Sequence, residues 1–509
     1  MSRRWPWILL AAGALPLAAA GAQTRVAEVA AMARADSAFD SGNHVLARAL
    51  YGDILARNST ASRAVFRLAQ LAESDGRALA LYRRYIALEP DDAWGHMAEG
   101  DVLGRMGRWD EGLVAYDGAN AIAPGERDVT IGRARLLDRA GRPHDAAAEL
   151  AAWTARRPED GEAWDLLGRS RMKSGRPRAA AEAFERARQL DVRGASTRLH
   201  GARAAFAPAI TPDVASLGDS DGNRTTRIGG SIDAMPVDGL RVGAGIGRQA
   251  IASDVDEVQG TDLLARLAAT PAPGMRVNAE AGAVRYGAML RREGPWTTGR
   301  ASARLRARAP ANRGAVDLRV ERAPLGSSPV LIANRAVRSE ARASIDVPVA
   351  MLRLRGSGRL AQISAAGEPA NKRSSVEGAL LLPLGERVLP SVQYRLSGFD
   401  RASAAGYFAP RRAETAEAGV YFEAGEGGPL SLAADLGAGV QRVAEHGRAT
   451  GTWSRVWRAW GTASLAMGPA TAWFVEVEAY DAPFAIDGPG AESNWRFLSL
   501  SAGLRWGLR

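Results

Sequence analysis

The chain has 509 residues, 46% of them hydrophobic, with no cysteine and a formal net charge of +10. This length accommodates two to four domains, and the absence of cysteine excludes disulfide scaffolds, cysteine-ligated metals and thiol nucleophiles. The mean hydropathy of −0.17 argues against a bundle of membrane helices. It leaves a membrane β-barrel open, because barrel strands are apolar on one face only.

The N-terminus has the layout of a secretory signal peptide. Arg3 and Arg4 precede an apolar stretch that ends near Ala20, and an A-x-A cleavage site ends at Ala22. The apolar stretch is short for a membrane anchor. We therefore predict that residues 1–22 are a signal peptide and that the chain is exported.

Residues 23–205 are predicted to form an α-solenoid, because residue types recur every 34 positions. Three classes keep this interval: glycine at Gly107, Gly141 and Gly175, proline at Pro90, Pro124 and Pro158, and a bulky apolar residue at Tyr82, Tyr116, Leu150 and Phe184. Stacked helical hairpins of this period bury a continuous core between neighbouring copies.

This pattern resembles the tetratricopeptide repeat, most clearly in residues 161–194, where Trp164, Gly168 and Phe184 match the family pattern. The resemblance implies about five hairpins, of which the copy at about 28–58 is degenerate. It also implies a protein-binding or spacer role. The four histidines of this half share no repeat position and have no metal-ligand spacing, so no metal site is expected.

Beyond Arg203 the hydrophobic period changes from 3.6 to 2. In 302–308, 316–321, 336–347 and 352–360, apolar residues occupy one parity and mostly charged residues the other. This alternation predicts β-strands with one polar face.

The connections between these segments alternate between tight turns, such as 237–239, and longer polar stretches, such as 323–335. Short turns on one rim and long loops on the other are typical of outer-membrane barrels. Fifteen segments follow Thr225, and one more around Val214–Asp219 makes about sixteen. A soluble β-sandwich also alternates, but this length would need several, with internal boundaries that the sequence does not show.

The predicted fold class is therefore α + β and multi-domain. A tetratricopeptide-type α-solenoid over residues 23–205 precedes an antiparallel transmembrane β-barrel of about 16 strands over residues 206–509. A closed barrel satisfies every backbone hydrogen-bonding group within lipid and leaves no strand edge exposed.

Exported helical repeats followed by such a barrel resemble the outer-membrane exporters of bacterial exopolysaccharides, among them cellulose-synthase operon protein C and the poly-N-acetylglucosamine export porin. Two short stretches, 219–222 (DSDG) and 406–412 (GYFAPRR), are similar to the former's barrel. The resemblance implies a biofilm polysaccharide, such as cellulose, that leaves an inner-membrane synthase and crosses the outer membrane through the barrel. It also implies periplasmic repeats that bind proteins of the synthase complex.

The repeat array is much shorter than in those families. The alternative is therefore a scaffold or surface receptor that is anchored in the outer membrane and transports nothing.

The charged parities are predicted to line the bore and the polymer path. These residues are Arg304, Arg306, Arg308, Arg319, Arg338, Arg342, Arg353, Arg355, Arg359, Glu476 and Glu478. Pairing with acids on neighbouring strands would stiffen the wall, and this is the interpretation we favour. The alternative is an electropositive constriction for an anionic polymer, since 302–308 and 352–360 carry three arginines each and no acid.

The last strands are rich in aromatic residues, which we assign to a belt at the membrane interface. The members are Trp453, Trp457, Trp460, Trp473, Tyr480, Trp495 and Trp506. Stacking on sugars is the alternative for Phe474 and Tyr480, which share a parity with Glu476 and Glu478.

No catalytic motif occurs, so we expect no enzyme activity, no cofactor and no metal. No basic cluster is interleaved with aromatic residues, and nucleic acid is therefore not expected as a partner. The expected partners are outer-membrane lipid, proteins of a synthase complex and a polysaccharide chain.

Overall fold

The computed structural model describes residues 15–288, 294–309, 313–385, 387–425, 428–481 and 496–508, with side chains from residue 27 onward. The described chain divides into two compact units, Met1–Ser170 and Arg171–Arg509. The predicted signal peptide lies largely outside the described residues, and only the backbone of residues 15–22 is seen, at the start of a helix.

Eleven helices precede the first strand: α1 Leu15–Asp40, α2 His44–Arg57, α3 Ser62–Gln70, α4 Asp75–Leu88, α5 Ala93–Arg105, α6 Trp109–Ile122, α7 Arg127–Arg139, α8 Pro143–Arg156, α9 Gly161–Lys173, α10 Pro177–Gln189 and α11 Ala195–Phe206. No helix among the described residues combines the length and apolarity that a membrane crossing requires. The tetratricopeptide-like helices predicted from the 34-residue period are confirmed.

Two kinds of glycine explain the 34-residue period. Gly107, Gly141 and Gly175 all adopt φ +74° in the turn between two helices, a left-handed conformation that other residues rarely adopt. Gly100 lies so close to Tyr116 that a Cβ atom would come within 2.6 Å of its ring. The first kind turns the chain between helices, and the second allows two helices to pack closely.

Asp160 ties α9 to the preceding helices. Its carboxylate accepts hydrogen bonds from the amide of Ala163 at 3.1 Å, the Arg127 Nε at 2.8 Å and the Trp153 indole at 3.0 Å. Burial alone would raise the pKa of this carboxyl group, but these donors outweigh it and hold the pKa below its ordinary value. Asp160 thus caps the helix as a charged group.

Sixteen strands follow: β1 Ala209–Asp219, β2 Arg224–Val237, β3 Leu240–Ala252, β4 Glu257–Ala269, β5 Met275–Tyr286, β6 Trp296–Arg308, β7 Ala315–Pro324, β8 Val337–Val349, β9 Leu352–Ser364, β10 Asn371–Leu381, β11 Val388–Phe399, β12 Arg412–Ala424, β13 Leu430–Ala444, β14 Ser454–Gly468, β15 Thr471–Tyr480 and β16 Phe497–Gly507. Each strand pairs with its neighbours in chain order, and β1 pairs antiparallel with β16. The predicted barrel of about 16 strands is therefore confirmed, with a first strand that begins earlier than Val214.

The two rims of the barrel differ in their connections. On the short-turn rim, even-numbered strands lead to the next strand through as few as two residues, as at 238–239 and 350–351. On the long-loop rim, odd-numbered strands lead on through segments such as 325–336 and 400–411, and a short helix, α12 (Pro329–Ala333), lies in the first of these. We call the two ends of the bore the short-turn end and the long-loop end.

The exposure pattern distinguishes the outer face from the inner one. One parity carries exposed large apolar side chains, such as Ile228, Leu263 and Leu360. The other carries ion pairs between strands, such as that of Arg227 with Asp262. The apolar parity is the outer face, as in barrels that lie in lipid, and the polar parity lines the bore.

The last helical hairpin is attached to the short-turn rim. The N-terminal amides of α10, from Arg178 and Ala179, donate to the two carboxylate oxygens of Asp238 at 2.8 Å each. The Arg178 guanidinium also donates to the carbonyl of Met235 and lies over the Phe206 ring at 4.5 Å. Since no side chain of α10 itself caps these amides, Asp238 of the β2–β3 turn supplies the missing acceptor.

Candidate functional site: the bore of the barrel

The strand register places arginines side by side across one wall of the bore. Arg304 pairs with Arg319, Arg319 with Arg342, and Arg342 with Arg359, on the four neighbouring strands β6–β9. We call these four residues the arginine row. Like charges directly opposite each other on neighbouring strands are unfavourable, so their compensation has to come from other rows of the wall.

Carboxylates two residues along the strands supply this compensation. Arg304 Nη2 lies 2.5 Å from Asp317 Oδ2, and Arg359 Nε lies 3.4 Å from Glu340 Oε1. Arg319 pairs with Glu321 on its own strand. The acids also form a row, since Glu321 lies opposite Glu340. Rows of like charge are thus held by diagonal contacts with rows of the opposite sign.

The other predicted arginines of this wall also face the bore. Arg353 and Arg355 share Asp346, at 2.6 and 2.8 Å, and Arg338 contacts Glu321 at 3.2 Å. Three further arginines have no carboxylate of the described residues within ion-pair distance. They are Arg306, Arg308 and Arg342.

The inner face of β6–β9, which we call the cationic wall, carries a net positive charge despite these pairs. On these fully described strands the inward positions hold ten arginines and four carboxylates, an excess of six positive charges. Both interpretations of the arginines therefore have structural counterparts: most are paired, and the wall as a whole is cationic.

The opposite wall has the reverse character. The inner face of β14–β16 and β1, which we call the acidic wall, holds four carboxylates and two arginines. Four strands separate it from the cationic wall in either direction, so the two walls face each other across the bore. Glu476 accepts a hydrogen bond from the Trp460 indole at 2.7 Å, and Glu478 lies opposite Trp460 in the register.

Four aromatic side chains share the acidic wall. Trp460, Phe474, Tyr480 and Phe497 have the parity of the bore, and the Tyr480 and Phe497 rings stack at 4.8 Å. The belt assignment of Trp460 and Tyr480 is therefore wrong. A hydrogen bond to Glu476 draws the Trp460 indole inward, and Tyr480 is buried at the strand end.

Three tryptophans of the predicted belt do lie on the outer face. Trp457, Trp473 and Trp506 point outward and are exposed. Trp457 lies near the long-loop rim, whereas Trp473 and Trp506 lie near the short-turn rim. Trp453 lies in the β13–β14 loop under the guanidinium of Arg442. Trp495 is outside the described residues.

An apolar cluster lies inside the bore at its long-loop end, a feature that the alternation did not predict. Ile332 of α12 packs against inward residues of β3–β6, and Leu331 packs against inward residues of β9 and β11. The partners are Ile251, Val258, Val284, Tyr286, Trp296, Ile363 and Phe399. Because these strands flank the β7–β8 loop on both sides, α12 lies inside the mouth against the wall from which its own loop extends.

Hydrogen bonds between loops hold α12 in this position. Asn334 Nδ2 donates to the carbonyl of Ala405 at 3.0 Å, and the amide of Ala366 donates to the carbonyl of Asn334 at 2.7 Å. Tyr407 and Ala409 complete the cluster around Leu331. The sequence signal was present as an apolar stretch, Val330-Leu331-Ile332, within a segment predicted as a polar loop.

The predicted repeat-packing residues occupy two environments. Gly168 and Phe184 are buried in their helices, and the Trp164 indole donates to the carbonyl of Pro158 at 3.0 Å. Gly107, Gly141 and Gly175 lie in turns with no atom near the place of a Cβ, so their backbone conformation, and not close packing, requires glycine. In the described part of the chain no group of three or more His, Asp or Glu side chains is arranged to hold a metal ion.

Comparison with known proteins supports the repeats directly. The tetratricopeptide-repeat family model matches residues 103–169, which confirms that prediction for this part of the chain. No curated protein matches the chain. The combination of such repeats with a closed 16-strand barrel is the architecture that the resemblance to exopolysaccharide exporters predicted.

Three solved structures illustrate the fold similarity. A MamA protein is 15% identical over 33% of this chain and 94% of its own, with a TM-score of 0.30. The type IV pilus biogenesis factor PilW is 19% identical over 35% of this chain and 86% of its own, with a TM-score of 0.32. A structure titled "Bacterial polysaccharide outer membrane secretin" is 10% identical over 60% of this chain and 99% of its own, with a TM-score of 0.43.

Proposed function

We propose that this chain is a porin-like outer-membrane component through which a bacterial exopolysaccharide leaves the cell. The observation that carries the proposal is the bore itself, a closed polar passage whose cationic wall faces an acidic wall rich in aromatic rings. A conducting pore has to bind its cargo weakly at many sites. Charged rows and aromatic rings spread over several strands provide such sites for a sugar chain.

The orientation follows from the two rims. In outer-membrane barrels the short turns face the periplasm and the long loops face outward. The hairpin α10–α11 is attached to the short-turn rim through Asp238 and Arg178, so we place the helical repeats in the periplasm. There they would bind proteins of the synthase complex, as tetratricopeptide repeats commonly bind protein partners.

The first unit offers a cleft for such a partner. Its volume is about 710 Å³, and its lining includes Phe39, Tyr82, Glu73 and Arg105. Aromatic rings next to charges of both signs suit a peptide segment that is partly apolar and partly charged. No chemical step is assigned to this chain, because transport and docking need none.

The proposal is tested with the purified full chain in planar bilayers and with a deletion strain. We expect ion conductance, and we expect neutral and uronate oligosaccharides added to one side to block it transiently. In cells that lack the protein, we expect the polymer to be retained in the periplasm. Unchanged export from the deletion strain would contradict the proposal.

The second candidate is an anchored scaffold that conducts nothing. The apolar cluster around α12 favours it, because Leu331 and Ile332 occupy part of the bore at the long-loop rim. The two candidates differ in one measurement. A scaffold shows no conductance even after α12 is removed, whereas an exporter conducts once the mouth is open.

A further inference from the structure

On the described strands, the outward positions carry charged residues near one rim only. Eight outward strand residues near the long-loop rim are basic, and we call them the outer basic ring: Arg224, Arg248, Arg285, Arg322, Lys372, Arg412, Arg442 and Arg455. Each lies within five residues of its strand's end at this rim. Two outward strand residues, Glu257 and Glu414, are acidic, as is Asp481 just beyond β15.

The opposite rim has a different composition. On the described strands, outward positions in the short-turn half carry no charged residue, and they end in apolar or aromatic side chains such as Leu354, Phe422 and Trp506. A charge on the lipid face is costly near the membrane midplane and nearly free at the interface. The outer basic ring therefore marks the level of lipid head groups in one leaflet.

The ring includes residues whose positions are fixed by neighbours. Arg442 Nη2 donates to Glu414 at 2.9 Å, and Arg412 Nε lies 2.8 Å from the same carboxylate. Glu414 is 5% exposed and also accepts from the Tyr394 hydroxyl at 2.9 Å. One buried carboxylate thus holds two guanidinium groups at the membrane surface, and Arg455 is added on the next strand, opposite Val440.

The six other members have no carboxylate of the described residues within ion-pair distance. Arg248 donates to Gln259 at 3.0 Å and Arg322 to Ser339 at 3.1 Å. The remaining four are Arg224, Arg285, Lys372 and Arg455. Exposed cations without partners at head-group level are suited to phosphate, which arginine binds through two parallel hydrogen bonds.

We propose that the outer basic ring binds the phosphate groups of the phosphorylated glycolipid that forms the outer leaflet of an outer membrane. This inference rests on the membrane and orientation of the proposed function. The glycolipid is favoured over an anionic phospholipid because it is confined to one leaflet, and the ring is confined to one rim. The bound lipid would set the depth and rotation of the barrel and seal its outer surface.

The test uses the purified full chain in non-ionic detergent and two lipids, a diphosphoryl lipid A and phosphatidylglycerol. Bound lipids are counted by native mass spectrometry, and affinity is measured by titration. We expect the wild-type chain to bind the diphosphoryl glycolipid about tenfold more tightly than phosphatidylglycerol, because several basic residues act together. Dephosphorylated lipid A should lose that advantage.

The variant R224Q/R285Q/K372Q/R455Q removes four cations without breaking an ion pair. We expect it to lose most of the preference for the diphosphoryl glycolipid. The matched control is R57Q/R77Q/R139Q/R156Q, which removes four exposed arginines from the helices and should leave binding unchanged. Equal binding of both lipids by the wild-type chain, or unchanged binding by the barrel variant, would overturn the inference.

The same samples separate this inference from the proposed function. The barrel variant alters no inward residue, so its conductance and its block by oligosaccharides should equal those of the wild-type chain. A chain that binds the glycolipid but never conducts would contradict export and leave the lipid site standing. A chain that conducts without the lipid preference would contradict the lipid site and leave export standing.

Discussion

The cationic wall and the acidic wall use the same strand geometry for different purposes. In the cationic wall, rows of arginine and rows of carboxylate alternate along the bore, and diagonal contacts such as Arg304–Asp317 fix the guanidinium groups. In the acidic wall there are few ions, and aromatic rings take their place beside Glu476 and Glu478.

The two walls together make a bore that is rigid and yet binds a solute weakly. Paired charges stiffen a wall and leave only the excess free to act on a solute. Opposed walls of opposite sign create a transverse field, which orients water and the hydroxyl dipoles of a sugar chain. The aromatic rings offer apolar contact on one side only, so a passing chain meets a different chemistry on each face.

The largest effect is expected from opening the mouth. Replacing residues 327–335 with two glycines removes α12 and its contacts with the inward residues of β3–β6, β9 and β11. We expect conductance to rise several-fold, because the apolar cluster no longer excludes water and ions at that end. Single-channel recording measures the conductance. The control is a chain in which residues 446–449 of the β13–β14 loop are replaced with two glycines.

A single substitution tests the same feature more gently. Ile332→Asp places a carboxylate in a buried apolar cluster, which is strongly unfavourable without a partner. The loop should leave the cluster, and conductance should approach that of the shortened chain. Unchanged conductance in both variants would mean that the passage is blocked elsewhere, and the walls would then face no permeating solute.

The next effect concerns the sign of selectivity. The quadruple variant R304Q/R319Q/R342Q/R359Q removes the arginine row and lowers the excess of the cationic wall from six positive charges to two. We expect the mouth-open chain to prefer anions and the variant to lose or reverse that preference. Reversal potentials in a potassium chloride gradient measure it.

The matched control for this variant is R248Q/R285Q/R322Q/R455Q, which removes four outward arginines and changes net charge by the same amount. Its selectivity should equal that of the parent. If both quadruple variants change selectivity equally, the net charge of the protein matters and the wall does not.

A smaller effect is expected from the aromatic rings. Removing Trp460 and Phe474 as W460A/F474A takes away two ring faces from the acidic wall. An aromatic contact contributes about 1 kcal/mol, so dwell times of oligosaccharide block should fall about fivefold. The substitution F422A on the outer face is the control, and equal dwell times in all three chains would argue against stacking in the bore.

Much of this arrangement follows from the sequence. The alternation of Arg304, Arg306 and Arg308 with apolar residues places all three on one face, and closure of the barrel makes that face the inner one. The register between strands does not follow, because a two-residue slip keeps every side chain on the same face and leaves the local alternation intact. The arginine row is a property of register alone, which is why single strands could not reveal it.

The errors have an equally physical origin. The frequency of tryptophan at membrane interfaces predicts a belt position for Trp460, but Trp460 shares a parity with Arg458 and Thr462 of the bore. The position of α12 depends on inward residues from strands far apart in the chain, so no local pattern predicts that its loop folds into the bore. Long-range packing determines the positions of both Trp460 and α12.

The smallest effect is expected from the two glutamates of the acidic wall. E476Q/E478Q removes two of its four carboxylates while it keeps side-chain size, and the Trp460 indole retains an oxygen acceptor at position 476. We expect a modest gain in anion preference, since the wall turns from slightly negative to neutral while the cationic wall is unchanged. Reversal potentials of the mouth-open chain measure this gain. Because the transverse field weakens only on its negative side, the arginine row should still dominate selectivity. A change as large as that of the arginine-row variant would mean that permeating ions follow the acidic wall.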